Sequence, residues 1–396
     1  MKFTMTGAAM LLISTAPVLA GGIERGNQML GVLFEQGNYA ELSFGHVKPT
    51  VEGTELDLLT PIGVLPGGTP IGNVASSYNQ IGLAYKHQFN ENWSAAVILD
   101  QPFGADLLYP TPEGAAGATS RLGGTLVDVE STHLTGLVRY AMPQNGFGVH
   151  GGIRVARAKG EVGLSGLAYG AVSGYNVQLD TNTAAGWVAG ASWERPEIAA
   201  RVALTFNSEI EHDFDTVETG PLIDPDGAGP LPALPLLAGT STTTVNTPKS
   251  VNLEFQTGVA PDTLVFGSIR WVDWSSFEVN PERFVAVTGG GLVELEDTTT
   301  YMIGVGRKFT DNWSGAASFT FEKAGDDLVS PLAPTNGRKG ITLAAIYTTG
   351  NMKITTGINY SKLGDATPET GTPDVARASM RDNSLWGIGV KVGYSF

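Results

Sequence analysis

The chain has 396 residues, 16% of them charged and 42% hydrophobic, with 52 glycines, no cysteine and a formal net charge of −15. This composition excludes a disordered chain and a disulfide framework, and the acidic balance disfavours nucleic acid as a partner. The length admits two soluble domains or one large β-barrel.

Residues 1–20 read as a secretory signal peptide. Lys2 supplies the positive start, and GAAMLLISTAPVLA gives a short apolar core ending in small residues before Gly21. The stretch is too short for a membrane anchor. No later segment offers ~18 uninterrupted apolar residues, so any membrane span of an exported chain must be β. Residues 21–37, GGIERGNQMLGVLFEQG, precede the first strand-like run.

From residue 38 onward the period is two. In 78–89, Ile81, Leu83, Tyr85 and Phe89 share one face, and Gln80, Gly82, Ala84 and Lys86 the other. In 197–211, Val202, Leu204 and Phe206 alternate with Arg201, Thr205 and Asn207. The last run, SLWGIGVKVGYSF, places Trp386, Ile388, Val390, Val392, Tyr394 and Phe396 on one face. Such alternation means strands with one apolar and one polar face.

Fourteen runs fit: 38–48, 77–89, 93–109, 125–141, 147–163, 172–193, 197–211, 249–260, 263–275, 293–308, 313–322, 340–348, 352–362 and 384–396. Tight turns alternate with long loops, the longest at 49–76 and 212–248. An even strand count with short turns on one rim and long loops on the other predicts an all-β, 14-stranded antiparallel transmembrane β-barrel spanning 38–396. The rival is a soluble β-sandwich or lipocalin-like barrel, but fourteen strands enclose a lumen too wide for apolar side chains to fill. Trp93 and Trp313, in the echoing turns FNENWS and FTDNWS, fit an aromatic girdle at the short-turn rim. Trp271, Trp274 and Phe277 fit a second girdle one crossing away. The C-terminal aromatics Tyr394 and Phe396 fit the signal read by bacterial barrel-assembly machinery.

No catalytic constellation stands out, and none of the five histidines has metal-ligand spacing; the expectation is a non-enzyme without metal or cofactor. DPDGAGP (224–230) lacks the downstream acid of an EF-hand and reads as a turn. The loops carry more information. Leu56, Leu58, Leu59 and Ile62 lie in 49–76, and Leu231, Leu234, Leu236 and Leu237 in 212–248. Apolar clusters in loops that face water mark a binding groove, or a lid packed on itself. The third run is irregular: Pro102 removes a ladder donor, and Gly104 permits a bulge or close approach. Pro102, Phe103 and Gly104 therefore mark either a rim bulge or a gap in the wall.

Several stretches resemble the FadL/TodX-type (OMPP1) outer-membrane transporters of long-chain fatty acids and other hydrophobic compounds. They are PFGADLLYP, VARAKGEVGLSG (155–166), TPKSVNLEFQTG before WVDWSSF, DTTTYMIGVGRKFTDNWS and PTNGRKGITLAAIYTTGNMKITTGINYS. The resemblance implies a fourteen-stranded barrel in a Gram-negative outer membrane and passive transport. A hydrophobic ligand would be caught between extracellular loops, held in a pocket above an N-terminal plug and released sideways at the kinked third strand.

By that resemblance residues 21–37 are the plug, although they are short and lack the family's Asn-Pro-Ala motif. Phe103 and Gly104 match the kink. Arg157 matches the pocket's basic residue, yet its parity with Ile153 and Val155 puts it on the lipid face unless a bulge turns it inward; outward, it would meet lipopolysaccharide phosphates. The stretch VELEDTTT offers acids where a second base belongs, so the ligand is less carboxylate-like. The expected partners are the bilayer, lipopolysaccharide and the assembly machinery, with a monomeric barrel. The rival functions are a general porin for polar solutes and a surface protein whose loops bind a partner.

Overall fold

The computed structural model describes residues 23–26, 28, 30–61, 63–224, 233–371 and 373–396; the signal peptide expected over 1–20 lies outside them. Fourteen antiparallel strands close into one barrel. They are β1 (Tyr39–Thr50), β2 (Tyr78–Gln88), β3 (Trp93–Asp100 and Gly104–Leu108), β4 (Leu126–Met142), β5 (Phe147–Leu164), β6 (Tyr175–Arg195) and β7 (Ala200–Asn207 and Ile210–Thr219). The second half comprises β8 (Gly239–Thr247 and Ser250–Ala260), β9 (Thr263–Val272), β10 (Thr298–Lys308), β11 (Trp313–Glu322), β12 (Arg338–Thr349), β13 (Met352–Leu363) and β14 (Ser384–Ser395). Consecutive strands are neighbours in the wall. β14 returns to β1, with Tyr39 opposite Ser395 and Thr50 opposite Ser384. Closure removes the sheet edge, which hydrocarbon cannot hydrogen-bond.

Each face has its own solvent. Leu42, Phe44, Ile81, Leu83, Trp386 and Ile388 are exposed on the outer face. Between them, Lys86, Thr135, Arg139, Arg201, Asn252 and Asn359 are buried inside. A barrel with apolar residues outside and charges inside is built for lipid. Aromatic pairs bound the apolar band. Trp93 lies 4.8 Å from Tyr140 and Trp313 4.9 Å from Tyr347 at the short-turn rim. Trp187 pairs with Phe206 at 5.0 Å and Tyr360 with Trp386 at 4.8 Å further up the wall. Amphipathic rings favour those two levels.

At the long-loop end the faces exchange. Asn207 and Ile210 both point inward across the break at 208–209, so the parity of β7 switches there. Beyond it Phe214 and Thr216 are buried while Asp213 and Asp215 are exposed. In β4, Val127 and Val129 turn inward while Asp128 and Glu130 are exposed. This upper storey has an apolar interior and an acidic exterior, as water requires. The main hydrophobic cluster lies here, joined by Leu122, Leu332 and Met380 from the loops.

Two sequence expectations are corrected. The supposed loop 212–248 is largely wall, because Ile210–Thr219 and Gly239–Thr247 pair as a hairpin and leave only 220–238 as connection. The parity switch hid the continuation of the strand. Trp274 and Phe277 do not belong to the outer girdle. The chain leaves the wall after Val272, and a 3₁₀ turn at Trp274–Ser276 folds it over the lumen, leaving Trp274 0% exposed.

Candidate functional site

The wall is open on one side of β3. Pro102 has no N–H, and the chain steps inward at Gln101–Phe103. β4 pairs with both halves of β3. β2 pairs only with the lower half, from Leu83 to Gln88. Above that, the Ile81 N–H finds the Gln101 side-chain oxygen at 3.2 Å. A cavity of about 110 Å³ lies at this point, lined by outward-facing Leu83 and Leu99 and by lumenal Gly26 and Glu35. Its lining therefore crosses the wall.

The N-terminal segment supplies the hydrogen bonds that the break removes. Gly104 N–H donates to Ile23 O at 2.7 Å, and Arg25 and Gly26 N–H donate to Pro102 O at 2.6 and 3.0 Å. Glu24 and Phe103 form an antiparallel bridge. The same segment is fixed by lumenal cations. Arg270 clasps Glu24 through its Nε at 2.7 Å, with both side chains about 4% exposed. Lys353 meets the Glu35 carboxylate at 2.8 Å, and the Arg201 guanidinium lies 4.1 Å from the Phe34 ring centroid. A buried charge needs a partner of this kind.

Above the break sits an apolar cavity of about 70 Å³. Ile23 and Phe103 contribute to it from the break, Val129, Leu179 and Phe214 from the wall, and Phe277 from the loops. An engineered apolar cavity of about 150 Å³ admits benzene, so this one accepts a ring only after its lining moves. The covering loops are pinned at a few points. Trp274 packs edge-on against Phe103 at 5.7 Å. Glu218 accepts from Tyr175 Oη and from the backbone N–H groups of Arg283 and Phe284, which open the short helix Glu282–Thr288. Glu55 and Arg121 form a fully buried pair at 3.2 Å that joins the first long loop to the one after β3.

The loop after β13 brings a titrating group to the same lid. Burial, and then the neighbouring Asp374 and Glu294, push the Glu369 carboxyl up to about 7. The folded loop therefore holds a proton that the unfolded chain, near 4.5, gives up. This contribution to loop packing is complete below about pH 4.5 and is lost as the pH rises through about 7. Proteolytic cleavage within 364–383 is expected to be faster at pH 8 than at pH 5.5, and to lose that difference in Glu369→Gln; equal rates in the wild type would contradict the assignment.

The expected site residues divide. Pro102, Phe103 and Gly104 stand together at the break. Leu237 and Leu58 are buried, whereas Leu59, Leu234 and Leu236 are exposed and Leu56 is intermediate. Leu59 is 81% exposed at the tip of the hairpin Leu58–Thr60/Gly63–Leu65. Ile62 and Leu231 lie outside the described residues. Among the described members of this set, none lines the apolar cavity. Arg157 is exposed on the outer face. The register irregularity beside it adds a residue to β6 rather than to β5, so β5 keeps its parity and Arg157 is not turned inward. The residues that form the cavity went unnoticed, although their signal was present: apolar residues alternating with acids, as in VDVE and HDFDTVE.

The sequence profile described as outer membrane protein transport protein (OMPP1/FadL/TodX) matches residues 75–396. No curated protein sequence matches the chain. Among solved structures, a FadL homologue of Pseudomonas aeruginosa is similar with a TM-score of 0.69, at 14% identity over 92% of each chain. The Pseudomonas putida toluene transporter TodX gives 0.62, at 13% identity over 95% of each chain. The Ralstonia pickettii toluene transporter TbuX gives 0.57, at 12% identity over 95% of each chain. At such identities the likeness speaks for the fold.

Proposed function

The chain belongs to the OMPP1/FadL/TodX family of outer membrane transport proteins, and on that premise we propose that it is a passive channel for neutral hydrophobic molecules that releases them sideways at the break in β3. Members of this family are outer-membrane transport proteins, which supports a transporter of hydrophobic compounds over an enzyme. The observation that carries the finer reading is the stack of an apolar cavity directly upon the wall opening, with Phe103 lining the one and Pro102 the other.

In this reading the exposed leucines of the loops collect the ligand, and the cavity desolvates it. The ligand then passes Phe103 and meets lipid beside Leu83 and Leu99. No energy source is needed, because the transfer runs from water to hydrocarbon. Residues 21–37 act as the plug, since their bonds to Pro102 and Gly104 and their ion pairs with the lumen hold the passage shut. A neutral cargo is favoured over a fatty acid. The one lysine lining the cavity, Lys159, is exposed and paired with Glu130 at 3.1 Å, and Arg157 faces outward. Besides Lys159, a carboxylate in the cavity would find only His212, whose Nδ1 already meets Asn182 Oδ1, and a buried charge without a cation is costly.

The test is uptake of radiolabelled toluene and oleate by cells that lack other hydrophobic channels, alongside planar-bilayer conductance. Saturable toluene uptake exceeding that of oleate, with little ionic current, supports the proposal. A large steady current with no hydrophobic uptake would instead make this barrel a general porin.

A further inference from the structure

The wall has a second interruption, beside the break in β7 at 208–209. β6 and β7 are paired from Val188–Arg195 against Ala200–Asn207, and again from Asn176–Leu179 against Thr216–Thr219. Between these stretches Asp180–Trp187 and Ser208–Asp215 form no ladder pairs with each other; all of these residues are described. The register is the same on both sides, so the strands part and rejoin without slipping. The result is a gap in the ladder, a seam without ladder pairs whose strands stay side by side: a Cβ built on Gly186 would come within 2.7 Å of Ile210 Cγ1.

Its cause lies in extra residues. Asp180 and Thr181 together face the single Lys159 of β5, and Ser208–Glu209 interrupts β7. What spans the gap is mostly side chain. Asn182 Nδ2 donates to Asp213 O at 2.6 Å, and Asn182 Oδ1 lies 3.0 Å from His212 Nδ1. At the lower end Ser208 N–H donates to Trp187 O at 2.9 Å, and Trp187 N–H donates to Ser208 Oγ at 2.8 Å. The rim between is small: Thr183, Ala184, Ala185 and Gly186.

The gap adjoins the apolar cavity. Leu179, His212 and Phe214 line that cavity, and His212 also makes the bridge to Asn182. Outside, the tilted Trp187–Phe206 pair marks the lower end of the gap on the lipid-facing band, whereas Glu211 and Asp213 are exposed along its β7 edge. The gap therefore opens at the boundary between hydrocarbon and headgroups, four strands round the wall from the β2–β3 opening.

We propose that this gap is a second lateral port, through which neutral apolar molecules exchange between the cavity and the outer edge of the leaflet, with the Asn182–His212 contact as its latch. The proposal rests on the transport reading above. A side-chain latch opens by rotamer changes and gives up single hydrogen bonds, each a modest net contribution. A full ladder would have to be unzipped. The two ports serve different depths: the β2–β3 opening faces Leu83 and Leu99 within the apolar band, and this one faces its upper margin.

The chain has no cysteine, so engineered thiols are unique. Asn182→Cys/Asp213→Cys locks the gap when joined by a short reductant-cleavable bis-methanethiosulfonate, and Gln80→Cys/Gln101→Cys locks the β2–β3 opening in the same way. Toluene uptake is measured before and after linking and again after reduction. The expected result is at least a twofold loss on locking the gap, a larger loss on locking the β2–β3 opening, near-complete loss with both, and recovery on reduction. Ala184→Trp, which fills the gap without chemistry, should reproduce the first loss, with folding checked by heat-modifiable electrophoresis. Full uptake with the gap locked and in folded Ala184→Trp, while the β2–β3 lock still blocks, overturns the second port and leaves the transport reading intact. Uptake unaffected by either lock or by both overturns the transport reading itself.

Discussion

Gly104→Leu is expected to lower toluene uptake at least tenfold while the barrel still folds and inserts. Gly104 is buried, and a Cβ placed there would come within 2.8 Å of the Arg25 guanidinium. That guanidinium lies 4.2 Å from the Tyr78 ring centroid. The atoms that must move are the far end of a flexible side chain, so the fold can accommodate the change. A displaced Arg25 and a new isobutyl group together fill the step between Phe103 and Pro102, where the cavity meets the wall opening. Uptake assays in cells with matched amounts of folded protein decide the matter. Wild-type rates in a properly folded Gly104→Leu barrel would remove the β3 route.

Arg270→Ala is expected to free the N-terminal segment. Arg270 is 3% exposed. It holds Glu24 through its guanidinium, and it also donates to Asn252 Oδ1 at 2.8 Å, Ser250 Oγ at 3.0 Å and Gln28 Oε1 at 3.2 Å. Removing one partner of a buried pair costs about 3–5 kcal/mol, because the other charge is left behind. If about 3 kcal/mol of that falls on docking of the segment, the undocked fraction rises by roughly a hundredfold. Ion conductance in planar bilayers should rise accordingly, and proteases added from the short-turn side should cut within 23–38. The double replacement Glu24→Leu/Arg270→Leu should recover most of the closed state, since it leaves no unpaired charge. Unchanged conductance in Arg270→Ala would mean that the segment is held by its other contacts alone.

Much of the barrel was legible because lipid and lumen impose opposite demands on successive residues. All fourteen strands, the closing pair and the defect at Pro102 follow from that alternation. Alternation cannot report where parity changes. Ser208–Glu209 and Asp180–Thr181 each insert a step that no residue type announces, and the first of them concealed the upper halves of β7 and β8. Arg157 illustrates the converse. Its parity with Ile153 and Val155 pointed outward, and the bulge invoked to turn it falls in the neighbouring strand. The cavity escaped because its residues arrive from five strands, the break in β3 and several loops, in register positions set only by closure of the barrel. Trp274 escaped because a strand rule was extended past the point where the chain leaves the wall. The anchoring of residues 23–38 by Arg270, Lys353 and Arg201 is a matter of charges distant in sequence, which periodicity does not address.

The exchange of faces along the strands makes one continuous sheet answer to two denaturants. In the upper storey, Phe214, Val127 and their neighbours are held together by water's exclusion of apolar surface, which urea weakens. In the lower storey the same strands bury nothing from water on their outer side, and lipid provides no comparable drive. Their hold is the hydrogen-bond ladder, which hydrocarbon will not replace. Chaotrope should thus loosen the crown and the lid while the embedded ring persists, and delipidation should strain the ring while the crown stays packed. The molecule is a water-soluble β protein grafted end to end onto a membrane one, and its cavity belongs to the soluble half.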